Sequence, residues 1–472
     1  MDVIVIGAGP AGVVAAHRAA HLGARTTLVT RDYFGGMAAN DGPVPVRTLA
    51  HAARLLREAR QLPEYGVAVG EPALDYPRLL ARVRDVVGQV RAHSALRANL
   101  ERLGVAIHEH AGATRFVDAH RIACERGPTL EANRIILCTG GTNRQLPVPG
   151  AELTVGHSHA WRLTAVPRSL LVIGAGATGA QVASIFNELG ARVQLFEAAP
   201  RILMTEDEDV SAAVAAAFRA AGIDVREDFG AIERFEATPG GVRMLFSKDG
   251  RPGQAEAAAI VVAIGWRADT DGLDLARAGV QLDRRGSVQV DAYLRTTAAH
   301  VFAAGDVTGR LMLVPHAVHD GYVAATNAVR GPTLTVGDRI SPIGSFTDPE
   351  YAQVGLTEAQ ARAAADVVVA TARYDELARP LIDGRAVGFC KLIAARESHR
   401  ILGCHVVGER AVELAQVAAV AMAAGATVDM LAGIPLSFPT YANVLGRAAI
   451  DAARQLEAPG VWDAAELALA PE

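Results

Sequence analysis

Cysteine and lysine are both scarce in this chain of 472 residues, and each scarcity excludes something. The four cysteines, at 124, 138, 390 and 404, form no Cys-x-x-Cys pair and no His/Cys spacing suited to zinc, so no disulfide scaffold and no metal site is expected. Lys248 and Lys391 are the only two lysines among 46 basic residues, which argues against catalysis through a lysine amine. Basic charge is not in surplus either. The net charge of −5 argues against a nucleic-acid or anionic-membrane partner. No uninterrupted apolar run reaches the ~18 residues that a spanning helix requires. The chain opens directly on a strand-like run, which leaves no room for a signal peptide, and the expected location is the cytoplasm. What remains is globular: half the residues are hydrophobic and 21% are charged, over a length that suits about three domains.

The chain repeats itself over a long range. Residues 3–6 (VIVI) have the look of a buried parallel strand, followed by Gly7-Ala8-Gly9-Pro10-Ala11-Gly12, an Ala-rich helical stretch and a second strand ending at Val29. The same unit returns from Leu170, with Gly174, Gly176 and Gly179 in the glycine positions and Ala177 and Thr178 opening the helix. Each glycine has a mechanical reason to be there, in turn a tight bend, close approach of a pyrophosphate, and packing of helix on strand. The helix N-terminus then offers free N–H groups to phosphate. Two such units, each framed by strand, helix and strand, predict two dinucleotide-binding domains.

The units end differently. Gly7 to Thr30 and Gly174 to Glu197 both span 23 residues, so Thr30 and Glu197 take equivalent places. Glu197 suits ribose hydroxyls and repels a 2′-phosphate, which favours NADH, with Arg201 close enough to soften that preference towards NADPH. Thr30, followed by Arg31 and Asp32, is a weaker ribose partner.

Further motifs follow in order: Gly35-Gly36, Cys138-Thr139-Gly140, the Gly265–Thr270 segment, Val301–Asp306, and Phe346–Glu350 with Val354–Glu358. In that order and spacing, over about residues 1–455, the chain resembles the class I pyridine nucleotide–disulfide oxidoreductases. The group includes dihydrolipoamide dehydrogenase, glutathione reductase, mercuric reductase and the soluble transhydrogenase. The resemblance implies an α/β fold with two Rossmann-like dinucleotide-binding domains and a C-terminal α+β dimerisation domain. Residues 1–150 and 271–338 would form the FAD domain, 151–270 the NAD(P) domain, 339–455 the interface domain of a homodimer, and 456–472 a tail. FAD would lie on Gly7, Gly9, Pro10, Ala11, Gly12, Thr30, Arg31, Gly36, Arg47, Thr139, Gly140, Asp306, His316 and Ala317. NAD would lie on Gly174, Gly176, Ala177, Thr178, Gly179, Gln181, Glu197 and Gly265. Asp306 would accept from a ribityl hydroxyl, and the helix beginning near Pro315-His316-Ala317 would point its N-terminus at the flavin.

The family's thiol machinery has no counterpart here. Asn40, Gly42 and Pro45 set a register in which the two redox cysteines fall on Ala38 and Pro43, and the family's lysine on Arg47. The His and Glu that protonate the thiol from the neighbouring subunit fall on Phe438 and Asn443, and the glutamate that pairs with the lysine falls on Gln181. Thiol–disulfide exchange needs a thiolate beside the flavin. The expected activity is therefore an FAD-dependent NAD(P)H:acceptor oxidoreductase of quinone or diaphorase type, passing hydride from NADH through FAD to a flat small-molecule acceptor. Arg47 and His316 are the candidate ionisable groups, with Phe438 and Tyr441 of the partner chain capping the acceptor face. His51, four residues after Arg47, could share its helical face. Transhydrogenation, and a redox-sensing flavoprotein with little turnover, are the alternatives.

Overall fold

The computed structural model describes residues 1–92, 95–337 and 339–458. Most of the 456–472 tail, from 459 on, lies outside the described residues. The chain forms two compact units. The first takes Met1–Gln145, Gly156–Ala165 and the described residues from Ile264 to 337; the second takes Leu146–Val155, Val166–Ala263 and the described residues from Arg339 onward.

In the first unit five parallel strands lie in the order Val301–Ala303, Arg134–Leu137, Asp2–Ile6, Arg25–Val29, Ala106–His108. The β-branched run Val3 to Ile6 is buried in the middle of this sheet, as a strand covered on both faces requires. The helix Pro10–His21 follows, with Pro10 in its first turn where a missing N–H costs nothing. It packs on the helix Val314–Arg330 so closely that a Cβ on Gly321 would stand 2.2 Å from the Ala11 carbonyl oxygen. Tyr76, Leu80, Val83 and Val87, at helical spacing, are the buried residues of the helix Tyr76–Ala92, and a shorter helix runs Ala95–Arg102.

In the second unit the repeat recurs as topology. Parallel strands Asp224–Arg226, Arg192–Phe196, Ser169–Ile173 and Ala259–Val262 are hydrogen-bonded in that order, so the strand before each glycine turn again lies between its successor and a later strand. A separate antiparallel sheet of five strands carries the C-terminal part: Ile343–Ser345, Tyr351–Gly355, Ile401–Val407, Phe389–Ala395 and Val367–Arg373. The helices Ala411–Ala423 and Asn443–Gln455 contribute Leu414, Ala418, Val444 and Ala448 to one core with these strands.

Residues 156–165 and 264–270, which the sequence division places in 151–270, sit in the first unit. The reason is local: the strand Trp266–Ala268 pairs with Gly141–Asn143, and the His157 ring meets Trp266 edge-on at 4.5 Å. No described helix is long and apolar enough to cross a membrane.

Candidate cofactor and acceptor sites

The first glycine turn shows three different uses of a missing side chain. Gly7 has φ +106, and a Cβ there would stand 2.1 Å from the Cys138 carbonyl oxygen. A Cβ on Gly12 would lie 1.7 Å from the Gly7 oxygen, so the helix can sit on its strand only without one. Gly9, between them, has only the Gly36 Cα within 4 Å, at 3.9 Å. Bare backbone at a helix N-terminus is suited to phosphate.

Segments distant in sequence converge on this turn. A Cβ on Gly305 would meet Ala11 at 3.1 Å and Ala317 at 3.3 Å, so the late motif and the Val314–Arg330 helix close on the start of the Pro10–His21 helix. A Cβ on Gly141 would meet the Asp306 Cβ at 3.4 Å. The Asp269 N–H donates to the Gly140 carbonyl at 2.9 Å, and the Thr139 hydroxyl to the Asp269 carbonyl at 2.7 Å. Arg31 pairs with the Asp269 carboxylate at 3.4 Å. Thr30 is buried and its N–H donates to the His108 carbonyl at 2.9 Å.

Two polar groups in this cradle are poorly served by the protein alone. Burial, with the nearby Asp320 carboxylate, pushes the Asp306 carboxyl up to about 6. The His316 Nε2 is buried without a hydrogen-bond partner. A ligand bearing hydroxyls and a polar ring edge would satisfy both. The residues present therefore fit FAD. Glu109, which the sequence reading did not single out, accepts the Phe34 N–H at 2.9 Å and Arg97 at 2.5 Å. Through Phe34 it steadies the Gly35 N–H, which donates to the Ala8 carbonyl at 2.9 Å. A polar strand end carries no periodic signal, so only the fold exposes this role.

The second glycine turn is built the same way. Gly174 has φ +91, and a Cβ on Gly179 would lie 1.8 Å from its oxygen, whereas Gly176 has nothing within 4 Å. Ala177 and Thr178 begin the helix Ala177–Glu188. Glu197 is drawn over the turn: the Ala175 N–H donates to Oε2 at 2.7 Å and the Ala199 N–H to Oε1 at 2.9 Å. Arg201 is not turned to this site as the sequence reading allowed. Its guanidinium donates to the carbonyls of Leu203 at 3.0 Å, Met204 at 3.4 Å and Glu206 at 3.0 Å. Gln181 donates back to the Ala177 carbonyl at 3.2 Å. Gly265 lies in the other unit, where its carbonyl accepts the Arg144 N–H at 3.0 Å.

The segment after Gly36 forms the short helix Gly36–Asn40 and then the helix Pro43–Gln61. Asn40 donates to the Gly36 carbonyl at 2.7 Å and accepts Arg91 at 2.5 Å, while Asp41 pairs with Arg162. His157 is buried, and that burial lowers its pKa to about 4 although the Asp41 charge opposes the shift. Arg47 and His51, one turn apart, line a common groove. All four cysteines are buried free thiols outside this segment, and burial pushes the Cys138 thiol up. Cys390 and Cys404 lie with their sulfurs 3.8 Å apart inside the C-terminal core.

The two aromatics expected to cap the acceptor face part company. Phe438 is 72% exposed and free to meet a partner, but Tyr441 is only 9% exposed. Tyr441 is turned into its own domain, where its hydroxyl donates to Asp383 at 2.9 Å and its ring lies 5.9 Å from that of Tyr374. The aromatic ring is worth more in that core than in water. Asn443, which takes the place of a general acid, accepts the Thr440 N–H at 2.8 Å.

Lys391 is an unforeseen feature of the second unit. It is 1% exposed and contacts Asp209 at 2.7 Å, Asp207 at 3.1 Å and Glu358 at 3.1 Å. Asp207 also accepts the Glu358 and Glu208 N–H groups, tying the C-terminal sheet to the helix Glu208–Ala220. The signal was present in the sequence: one of two lysines in a chain that otherwise uses arginine. Among the described residues no group of three or more His, Cys, Asp or Glu could hold a metal.

Comparison with known proteins identifies the family. The sequence profile of the pyridine nucleotide-disulphide oxidoreductases matches residues 1–321, and that of their dimerisation domain matches residues 341–449. Dihydrolipoyl dehydrogenase of Zymomonas mobilis is 34% identical over 429 residues, covering 88% of this chain and 90% of the relative. That of Mycobacterium tuberculosis is 33% identical over 458 residues, covering 94% and 96%. Among solved structures, LpdA of Mycobacterium tuberculosis superposes with a TM-score of 0.85 at 28% identity, covering 97% of this chain and 99% of the other. The HOCl-induced flavoprotein disulfide reductase RclA of Escherichia coli superposes with a TM-score of 0.84 at 25% identity, covering 95% and 99%. The chain belongs to the pyridine nucleotide-disulphide oxidoreductase family of flavin-dependent enzymes.

Proposed function

We propose that this protein is an NADH:acceptor oxidoreductase that does not reduce disulfides and delivers its electrons to a quinone or a similarly flat acceptor. One observation carries the reading: no cysteine lies in the first 123 residues, so the segment from Gly36 to Arg47 holds no thiol. The four cysteines elsewhere are all buried, which suits packing and not exchange. Bound FAD would supply two-electron chemistry, and the net reaction is NADH + H⁺ + quinone → NAD⁺ + hydroquinone.

The chain's own residues supply positioning. The turns at Gly9 and Gly176 receive pyrophosphates, Asp306 and the orphaned His316 Nε2 orient the flavin's polar edges, and Arg47 brings a fixed positive charge to the acceptor side. Glu197 over the second turn, with Arg201 held by three carbonyls, supports NADH over NADPH and so weighs against transhydrogenation. The match to the dimerisation profile, together with exposed Val420, Met430 and Phe438, supports a homodimer with its interface domain over about 339–455, and the two glycine turns support an FAD domain and an NAD(P) domain before it.

The test is anaerobic. The yellow protein should bleach with NADH and recover its visible absorption on addition of 1,4-naphthoquinone, and it should turn over neither lipoamide nor glutathione disulfide. Recovery with no quinone, or turnover with either disulfide, would sink the reading.

A further inference from the structure

The helices Pro43–Gln61 and Tyr76–Ala92 leave an open groove of about 640 Å³ between them, ample for a two-ring molecule. Its walls are apolar: Val44, Ala52, Leu55, Leu79 and Val86. It begins at Pro43, the residue that by resemblance replaces the second redox cysteine. Three side chains of basic type line it as well, Arg47 and His51 from one helix and Arg82 from the other, and no carboxylate does.

The ion pairs on the first of these helices fall outside the groove. On the Pro43–Gln61 helix Arg54 pairs with Glu58 and Arg60 with Glu71. Among the described residues His51 and Arg82 have no hydrogen bond and no ion pair, so neither is held back from a ligand by a protein anion. Apolar walls with cationic groups and no acid select a ligand that is flat, hydrophobic and negatively charged at one end.

Resting on the acceptor reading above, we infer that the acceptor is an aromatic anion, a bicyclic quinone bearing a sulfonate or carboxylate. Its rings lie against Val44, Leu79 and Val86, and its anionic group is held by Arg82 and His51. The groove thereby sets both the orientation and the selectivity of the acceptor.

The test compares 1,4-naphthoquinone-2-sulfonate with neutral menadione as acceptors for NADH oxidation by the holoprotein. The sulfonate should show a KM about tenfold below that of menadione, and Arg82→Ala should bring the ratio of the two KM values close to one, a loss of about tenfold for one charge-assisted contact. Arg84→Ala, exposed on the same helix but outside the groove, is the control and should leave the ratio alone. Calorimetric titration with redox-inert 2-naphthalenesulfonate gives a readout independent of turnover, and its Kd should weaken by the same factor in Arg82→Ala. Equal KM values that Arg82→Ala does not move would overturn the groove assignment while leaving the acceptor reading intact. If neither quinone is reduced, the acceptor reading fails. Arg82-dependent binding of 2-naphthalenesulfonate would still uphold the groove as an aromatic-anion site, and absent binding would overturn it.

Discussion

Gly176 and Gly179 are three residues apart in the same glycine turn, yet an added methyl should act on them in opposite ways. At Gly176 the backbone is extended at φ −73 and a Cβ would meet nothing within 4 Å. Alanine there narrows the unfolded ensemble without straining the fold, and should stabilise the nicotinamide-free protein by about 0.4–1 kcal/mol, or roughly 1–3 °C in Tm. Under the proposed function, however, that open space receives the pyrophosphate. A methyl group there should displace it from one or two charge-assisted backbone contacts of about 1.5–3 kcal/mol each, weakening NADH about tenfold to a hundredfold or more. At Gly179 a Cβ would stand 1.8 Å from the Gly174 carbonyl oxygen, so alanine must push the helix off its strand and lower both Tm and NADH affinity. The assay is thermal unfolding of NADH-free protein beside NADH titration followed by flavin absorbance. Wild-type NADH affinity in Gly176→Ala, or a stable Gly179→Ala protein, would refute the assignment of roles within the turn.

Three further outcomes follow from the packing. Lys391→Met leaves Asp207, Asp209 and Glu358 facing one another, and should cost about 2–3 kcal/mol in urea unfolding; the figure falls below that for a fully buried pair because Asp209 is 58% exposed in its side chain. Glu206 is buried beside Asp207, and its carboxyl titrates at about 7 against 4.5 ordinarily, with Arg201 opposing the shift. Between those values the folded chain keeps a proton that the unfolded chain has lost. Stability therefore falls as pH rises from 4.5 to 7, by up to about 1.4 kcal/mol per unit, and levels off above; Glu206→Gln should flatten that slope, and an unchanged slope would count against the burial argument. Gly321→Ala drives a methyl to within 2.2 Å of the Ala11 carbonyl, and should separate the two helices and lower the ratio of flavin to protein absorbance after purification.

Much of the fold around the two glycine turns could be read in advance because it depends on glycine. A residue without a side chain is called for wherever backbone must touch backbone or turn left-handed, and Gly7, Gly12 and Gly179 sit at such contacts while Gly174 takes a positive φ. The β-branched runs at 3–6 and 170–173 announced buried parallel strands for the same local reason. Arg201 and Tyr441 could not be read, because each had two plausible directions. Carbonyls of the following loop claim Arg201, and a neighbouring tyrosine and aspartate claim Tyr441, and none of these partners is marked by spacing.

By itself, then, the order of residues determined the two glycine turns and the want of a thiol after Gly36, since both are properties of single positions and of short-range geometry. Only the tertiary structure decided which polar groups are left waiting for a ligand and which are already taken. It buried the His316 Nε2 unpaired, drew Glu197 over its turn, enclosed Lys391 among carboxylates and left His51 and Arg82 unpaired beside an apolar groove. Each of these depends on which chain segments meet, and a side chain's partners are set by that meeting and not by its own chemistry.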